Sequence, residues 1–360
     1  MPTQLEKAKK GEISEEIKKA ASREEIEFYE TSWTKNKEEY IMCLVADGIS
    51  VIPTNKIHLK NGLEPIVIGD KWFGYRAETK RHGRITTKVN VNIGISPEIS
   101  CLEEEIKKLE ISIETGADTI MDLSIHNDVY LIDYIRKELI ARCKKPFGTV
   151  PIYQTYVEAE RKRKELSIEF YLKVFEKHAR DGVDFTTVHA GVTKKSLELI
   201  AKRVMPVVSR GGSFIVEFMR ETGKENFLYK YFDKILEIAK EYDVTLSLGD
   251  ALRPGCLLDE TDKAQIYELK ILGELVKRAR ERGVQVIVEG PGHIPLNKIK
   301  ENIKLEKKIC DAAPFYVLGP LPIDNAIPYD HIATVIGGCL LYTSDAADEG
   351  LGVDLGGRRI

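Results

Sequence analysis

Residues 225–255 read ENFLYKYFDKILEIAKEYDVTLSLGDALRPG. From Asn226 to Asp243 the apolar residues recur at helical spacing, and the run TLSLGD (245–250) then has the short, β-rich character of a strand. The segment closes on a carboxylate, Asp250, and a guanidinium, Arg253, inside a turn ended by Pro and Gly. Helix, strand and polar loop in that order form the repeating unit of an alternating α/β protein.

Working outward from this unit, the same rhythm extends from about residue 88 onward. The strand candidates are KVNVNIG (88–94), TIMDLS (119–124), GTVPIY (148–153), FTTVHA (185–190), MPVVSR (205–210), TLSLGD (245–250), VQVIVEG (284–290) and FYVLGP (315–320). Between them lie Lys/Glu-rich amphipathic stretches such as LEEEIKKLEISIETG (102–116). Eight candidates predict a (β/α)8, TIM-type barrel over residues 81–338, with residues 1–80 as an N-terminal segment packed on it.

Composition bounds the function. The chain has 360 residues, 43% hydrophobic and 31% charged, enough for a large buried core. Lys+Arg 54 against Asp+Glu 57 leaves a net charge of -3, which argues against a nucleic-acid partner. The N-terminus MPTQLEKAKKGEISEEIKKAASREE has no apolar run suited to a signal peptide or membrane span, so a cytoplasmic location is expected. Six cysteines lie far apart without a C-x-x-C, so neither a disulfide framework nor a cysteine-held cluster is written in the sequence.

In such a barrel the C-terminal strand ends form the active-site mouth. The polar or special residues at those ends are Asn92, Met121 with Asp122, Tyr153, His189, Ser209 with Arg210, Asp250 with Arg253, Glu289 with His293, and Tyr316. SRGG (209–212) joins a hydroxyl, a guanidinium and two glycines, a composition suited to an anion. GDALRPG (249–255) suits ribose hydroxyls or a phosphate oxygen, and reads equally well as a structural turn. In EGPGHIP (289–295) a Gly-Pro-Gly turn presents His293, a group suited to metal ligation or acid–base work. No Ser-His-Asp order, dinucleotide fingerprint or Walker loop is present.

Residues 339–360, CLLYTSDAADEGLGVDLGGRRI, abandon the rhythm and resemble the translation of a sequencing-library adapter. They are expected to be a non-native tail without specific contact to the barrel, which would then be incomplete at its C-terminal end.

Taken together, KVNVNIG, GADTIMDLS, GTVPIYQ, DFTTVHAGV, VVSRGGS, the 225–255 stretch, QVIVEGPGHIP, APFYVLGPL and YDHI resemble the phosphomethylpyrimidine synthases, over residues 1–338. The resemblance implies a radical enzyme that uses S-adenosyl-L-methionine and a [4Fe-4S] cluster. Its reaction would convert 5-aminoimidazole ribonucleotide to 4-amino-5-hydroxymethyl-2-methylpyrimidine phosphate for thiamin. It also implies a homodimer when full length. Carried over by motif, the substrate contacts are Asn92, Met121, Tyr153, His189, Ser209, Arg210, Gly211, Asp250, Ala251, Leu252, Arg253, Glu289 and Tyr316, of which Glu289 and Tyr316 are the catalytic candidates. His293 becomes one ligand of a divalent metal, zinc or iron. The cluster cysteines and the second metal His of the family are expected to be missing from this chain.

Three stretches depart from the family pattern: IPTNKIHLKNG (52–62), IHND after MDLS (125–128), and IDNAIPYDHI (323–332). They leave room for a sister activity that makes 5-hydroxybenzimidazole from the same ribonucleotide, for a non-catalytic ribonucleotide-binding barrel, or for a lyase that uses only the His293 metal.

Overall fold

A computed structural model describes residues 2–24, 36–69, 85–98 and 101–346. Two short antiparallel strands, β1 (Ser50–Val51) and β2 (Ile68–Gly69), belong to the N-terminal segment. Seven parallel strands follow: β3 (Asn90–Ile93), β4 (Thr119–Asp122), β5 (Phe147–Thr149), β6 (Phe185–Val188), β7 (Thr245–Leu248), β8 (Val286–Glu289) and β9 (Phe315–Tyr316). Their order in the sheet is their order in the chain, as in the curling wall of a TIM-type barrel that is incomplete.

The eighth candidate, MPVVSR, is not a strand. β6 pairs directly with β7, from Phe185 opposite Thr245 to Val188 opposite Leu248, so no strand stands between them. Pro206 lacks a ladder donor, and the N–H groups of Val204 and Met205 go to the Asp259 carboxylate instead, at 3.0 and 2.7 Å. The stretch runs as an open connection into the helix Arg210–Thr222, which Ser209 caps through Gly212 N–H at 3.2 Å. Similarly GTVPIY ends its strand early, because Pro151 opens the helix Pro151–Arg161 and carries Tyr153 into its first turn. The helical stretch 226–243 divides into Phe227–Lys230 and Phe232–Tyr242, ending where Asp243 takes the left-handed conformation at φ 60.

The N-terminal segment meets the barrel at the end where the strands begin. Gln4 N–H donates to Asp243, which precedes β7, at 3.0 Å. Ile52 exchanges two hydrogen bonds with Gln285, which precedes β8, at 2.8 and 3.0 Å. Asp184, just before β6, gathers three elements: it accepts from Asn55 N–H and Phe147 N–H at 2.8 Å each and pairs with His58 Nδ1 at 2.7 Å.

The other His58 nitrogen, Nε2, faces the Cys143 carbonyl at 2.8 Å. With Asp184 ionised, both ring nitrogens meet acceptors, the arrangement of a doubly protonated imidazolium. Burial alone would depress the His58 pKa. The Asp184 charge, its hydrogen bond and the Cys143 carbonyl more than offset this and raise it above the usual value.

The helix Asp330–Ala346 runs through Gly338 and Cys339 without a break. Leu340 and Leu341 pack against the buried trio Ile294, Ile299 and Ile303. This corrects the expectation of a tail without contacts for its first residues: two leucines found an apolar surface to cover. Residues 347–360 lie outside the described residues. Among the described residues no helix is long and apolar enough to cross a membrane.

The His58–Asp184 pair generates a stability prediction. His58→Ala leaves a buried carboxylate without its cation and should cost about 3–5 kcal/mol in urea unfolding. Because the folded pKa of His58 is raised, the contribution is complete below the unfolded value near 6.5 and fades as pH climbs through the higher folded one. Unfolding curves across pH 6 to about 9 should therefore slope downward more in the parent than in the variant. Equal slopes would mean that His58 is not the titrating group.

Candidate active site

The parallel register puts the ends of β3 to β9 around one mouth. A single cavity there is lined by Asn92, Met121, Tyr153, His189, Ser209, Asp250, Arg253, Glu289 and Tyr316. Apolar Leu123, Val150, Val317 and Leu318, together with Thr187 and Gly290, complete its wall.

His189 lies at the end of β6, its ring between two glycines. A side chain on Gly211 would collide with the ring, and a Cβ on Gly249 would stand 2.9 Å from its Cδ2. Ser209 Oγ is 3.1 Å from Nε2, whereas Nδ1 is buried without a partner. Burial first, and then the Arg253 charge, push the His189 pKa down to about 3, so the ring is neutral at physiological pH. A neutral imidazole with one unspent nitrogen in a cavity wall is a site for a ligand's hydrogen bond.

The same cavity holds a trio of ionisable groups. Arg253 Nη1 lies 3.1 Å from Asp250 Oδ1. Burial would lower the Arg253 pKa, but the charges of Asp250 and Glu289 hold it as a cation. Burial drives the Asp250 carboxyl up to about 8 against the pull of Arg253. Glu289 is also raised by burial, although Ser247 and Thr187 donate to its Oε1 at 2.7 and 2.8 Å. Burial raises Tyr316 as well, and its hydroxyl oxygen accepts from Asn90 Nδ2 at 2.8 Å. Tyr153 packs edge-on against Phe214, with the Arg210 guanidinium 5.5 Å above its ring.

Five carried-over residues do not line the cavity. Arg210 is exposed at the first turn of its helix, and Gly211 makes room for the His189 ring. Ala251 and Leu252 are fully buried behind the mouth. His293 sits beyond it, with its Nδ1 2.9 Å from Asp324 Oδ1. Asp122, also singled out, turns back to accept from Ser124 N–H at 2.9 Å.

Residues that sequence reading passed over support the site from below. Asn90 donates to Asn92 Oδ1 at 2.9 Å as well as to Tyr316, and accepts from Thr119 Oγ1 at 2.8 Å. Alternation along NVNI already puts Asn90 and Asn92 on the same face, a signal that could have found it. Thr187 and Ser247 hold Glu289 from neighbouring strands, which no single-strand pattern reveals. Among the described residues no group of three or more His, Cys, Asp or Glu stands close enough to hold a metal ion.

The model of the Radical SAM ThiC family matches residues 3–348. The chain is 48% identical over 349 residues to a phosphomethylpyrimidine synthase of Moorella thermoacetica, covering 96% of this chain and 74% of the relative. It is 49% identical over 343 residues to that of Caldanaerobacter subterraneus subsp. tengcongensis, covering 94% and 73%. To that of Methanococcus vannielii it is 45% identical over 349 residues, covering 96% and 75%. With nearly its whole length matched, the chain belongs to the radical SAM ThiC family.

Proposed function

We propose that this chain carries the substrate-binding barrel, residues 81–338, of a phosphomethylpyrimidine synthase that acts on 5-aminoimidazole ribonucleotide in thiamin biosynthesis. The product would be 4-amino-5-hydroxymethyl-2-methylpyrimidine phosphate. The observation that carries this reading is that Arg253, paired with Asp250 and within the field of Glu289, shares one cavity with His189, whose Nδ1 is unspent.

The ligand's parts match the cavity's parts. Its phosphate suits the start of the helix Arg210–Thr222, where Ser209 and Arg210 stand and where the peptide dipoles favour an anion. Ribose hydroxyls suit the Arg253–Asp250 pair, which offers both donors and acceptors. Glu289 and Tyr316 suit the amino-imidazole: the Tyr316 oxygen accepts from Asn90, which leaves its O–H to donate to the ligand. Asn92, Met121 and Tyr153 shape the wall. Gly211, Ala251 and Leu252 serve through their backbone.

S-adenosylmethionine cleaved at a [4Fe-4S] cluster would supply the one-electron chemistry. The described residues do not fit such a cluster, since no three candidate ligands gather, so its ligands would have to lie outside them. His293 is proposed as one ligand of a divalent metal, zinc or iron. Its Nδ1 against Asp324 leaves Nε2 for the ion, but the further ligands are likewise outside this set. What the chain itself does is bind, orient and exclude water. A homodimer and a cytoplasmic location belong to the same proposal.

For the 5-hydroxybenzimidazole alternative, one of the three altered stretches gives no support. Asn55 and His58 of 52–62 bond to Asp184 at the end of the barrel opposite the cavity.

Calorimetric titration with 5-aminoimidazole ribonucleotide tests the binding role. Arg253→Ala removes the cation between two buried carboxyls and should weaken binding by about 100-fold or more. Unchanged affinity would remove the ribonucleotide assignment.

Turnover is tested separately, by anaerobic reconstitution with iron and sulfide, then reductant, S-adenosylmethionine and the ribonucleotide. The 360-residue chain is expected to form no 5′-deoxyadenosine above a control without enzyme. Formation together with cluster absorption would mean that this chain holds the cluster ligands itself.

A further inference from the structure

The helix Lys263–Glu281 sends one carboxyl toward the back of the cavity. Glu268 is 2% exposed, and the binding reading above does not use it. Its Oε2 accepts the N–H of Leu252 at 2.7 Å, in the middle of the loop that carries Asp250 and Arg253. Its Oε1 is buried without a partner.

The surroundings are shaped for this side chain. A Cβ at Gly191 would stand 2.7 Å from Glu268 Cγ, so a larger residue there would push the carboxyl off the loop. Glu268 also walls a second chamber, which shares Asp250, Arg253 and Glu289 with the cavity. The loop's own closure is a single turn, in which Arg253 N–H donates to the Asp250 carbonyl at 3.0 Å. One turn of that kind does not by itself hold two long side chains in one direction.

We propose that Glu268 is a positioning residue: by accepting the Leu252 N–H it clamps the 250–253 turn from behind, so that Asp250 and Arg253 face the ligand. The proposal rests on the reading of the cavity as a ribonucleotide site. Burial, and then the Asp250 charge, push the Glu268 carboxyl well above the usual range. A glutamine has the same shape, the same acceptor oxygen and no charge.

Two readouts on the full chain test the clamp: amide hydrogen exchange at Leu252, and calorimetric affinity for 5-aminoimidazole ribonucleotide. In Glu268→Ala, Leu252 should exchange about tenfold faster or more, while Leu246 in the adjoining strand keeps its protection, and affinity should fall about tenfold or more. Glu268→Gln should restore both to near the parent values. Unchanged Leu252 protection in Glu268→Ala overturns the proposal, as does a Glu268→Gln variant that is as impaired as Glu268→Ala. If Glu268→Ala does not fold, Glu268→Asp takes its place: one methylene shorter, it should lose Leu252 protection, and full retention overturns the clamp. A parent chain that does not bind the ribonucleotide would overturn the substrate reading alone, because the exchange arm decides the clamp without a ligand.

Discussion

The parallel register of seven strands is the constraint from which the rest follows. In register, Asn92 stands opposite Met121 and Glu289 opposite Tyr316, so residues far apart in sequence reach the same level of the same mouth. Strands of only two to four residues suffice, because β4 to β7 are buried throughout and each polar end is directed by its neighbours rather than by its own length. Thr187 and Ser247 illustrate this: they lie opposite one another on β6 and β7, and both donate to Glu289 on β8.

The two ends of this sheet use buried charge in opposite ways. At the N-terminal end, Asp184 spends its carboxylate on two backbone N–H groups and the His58 ring, and the interaction is closed. At the C-terminal end the groups are deliberately left short of partners. His189 retains an unspent nitrogen, and Asp250 is pushed up to about 8 by burial that its Arg253 contact does not fully offset. Unsatisfied buried polarity costs stability, of order 1–3 kcal/mol per group, and concentrates where a ligand can supply the missing partner.

Two stretches away from the cavity brace its surroundings. The 52–62 stretch serves the closed end through Asn55 and His58, and the 323–332 stretch meets His293 through Asp324. Neither supplies a residue to the cavity wall. These places therefore bear on how the barrel is braced and how its rim is ordered.

The sequence by itself determined the alternating α/β class, seven of the eight strand positions and nine residues that line the cavity, because apolar periodicity and strand-end polarity are local properties. It misled at MPVVSR, where β-branched composition suggested a strand but Asp259, from a distant loop, takes the backbone donors. It was equally silent on Asn90, Thr187, Ser247 and Glu268. What each of these touches depends on which neighbour the sheet and the helix Lys263–Glu281 bring within 3 Å, and only the tertiary structure decides that. The same holds for the titration of His189 and Asp250: residue type sets the starting pKa, whereas burial, which exists only once the sheet has curled around them, moves one down and the other up.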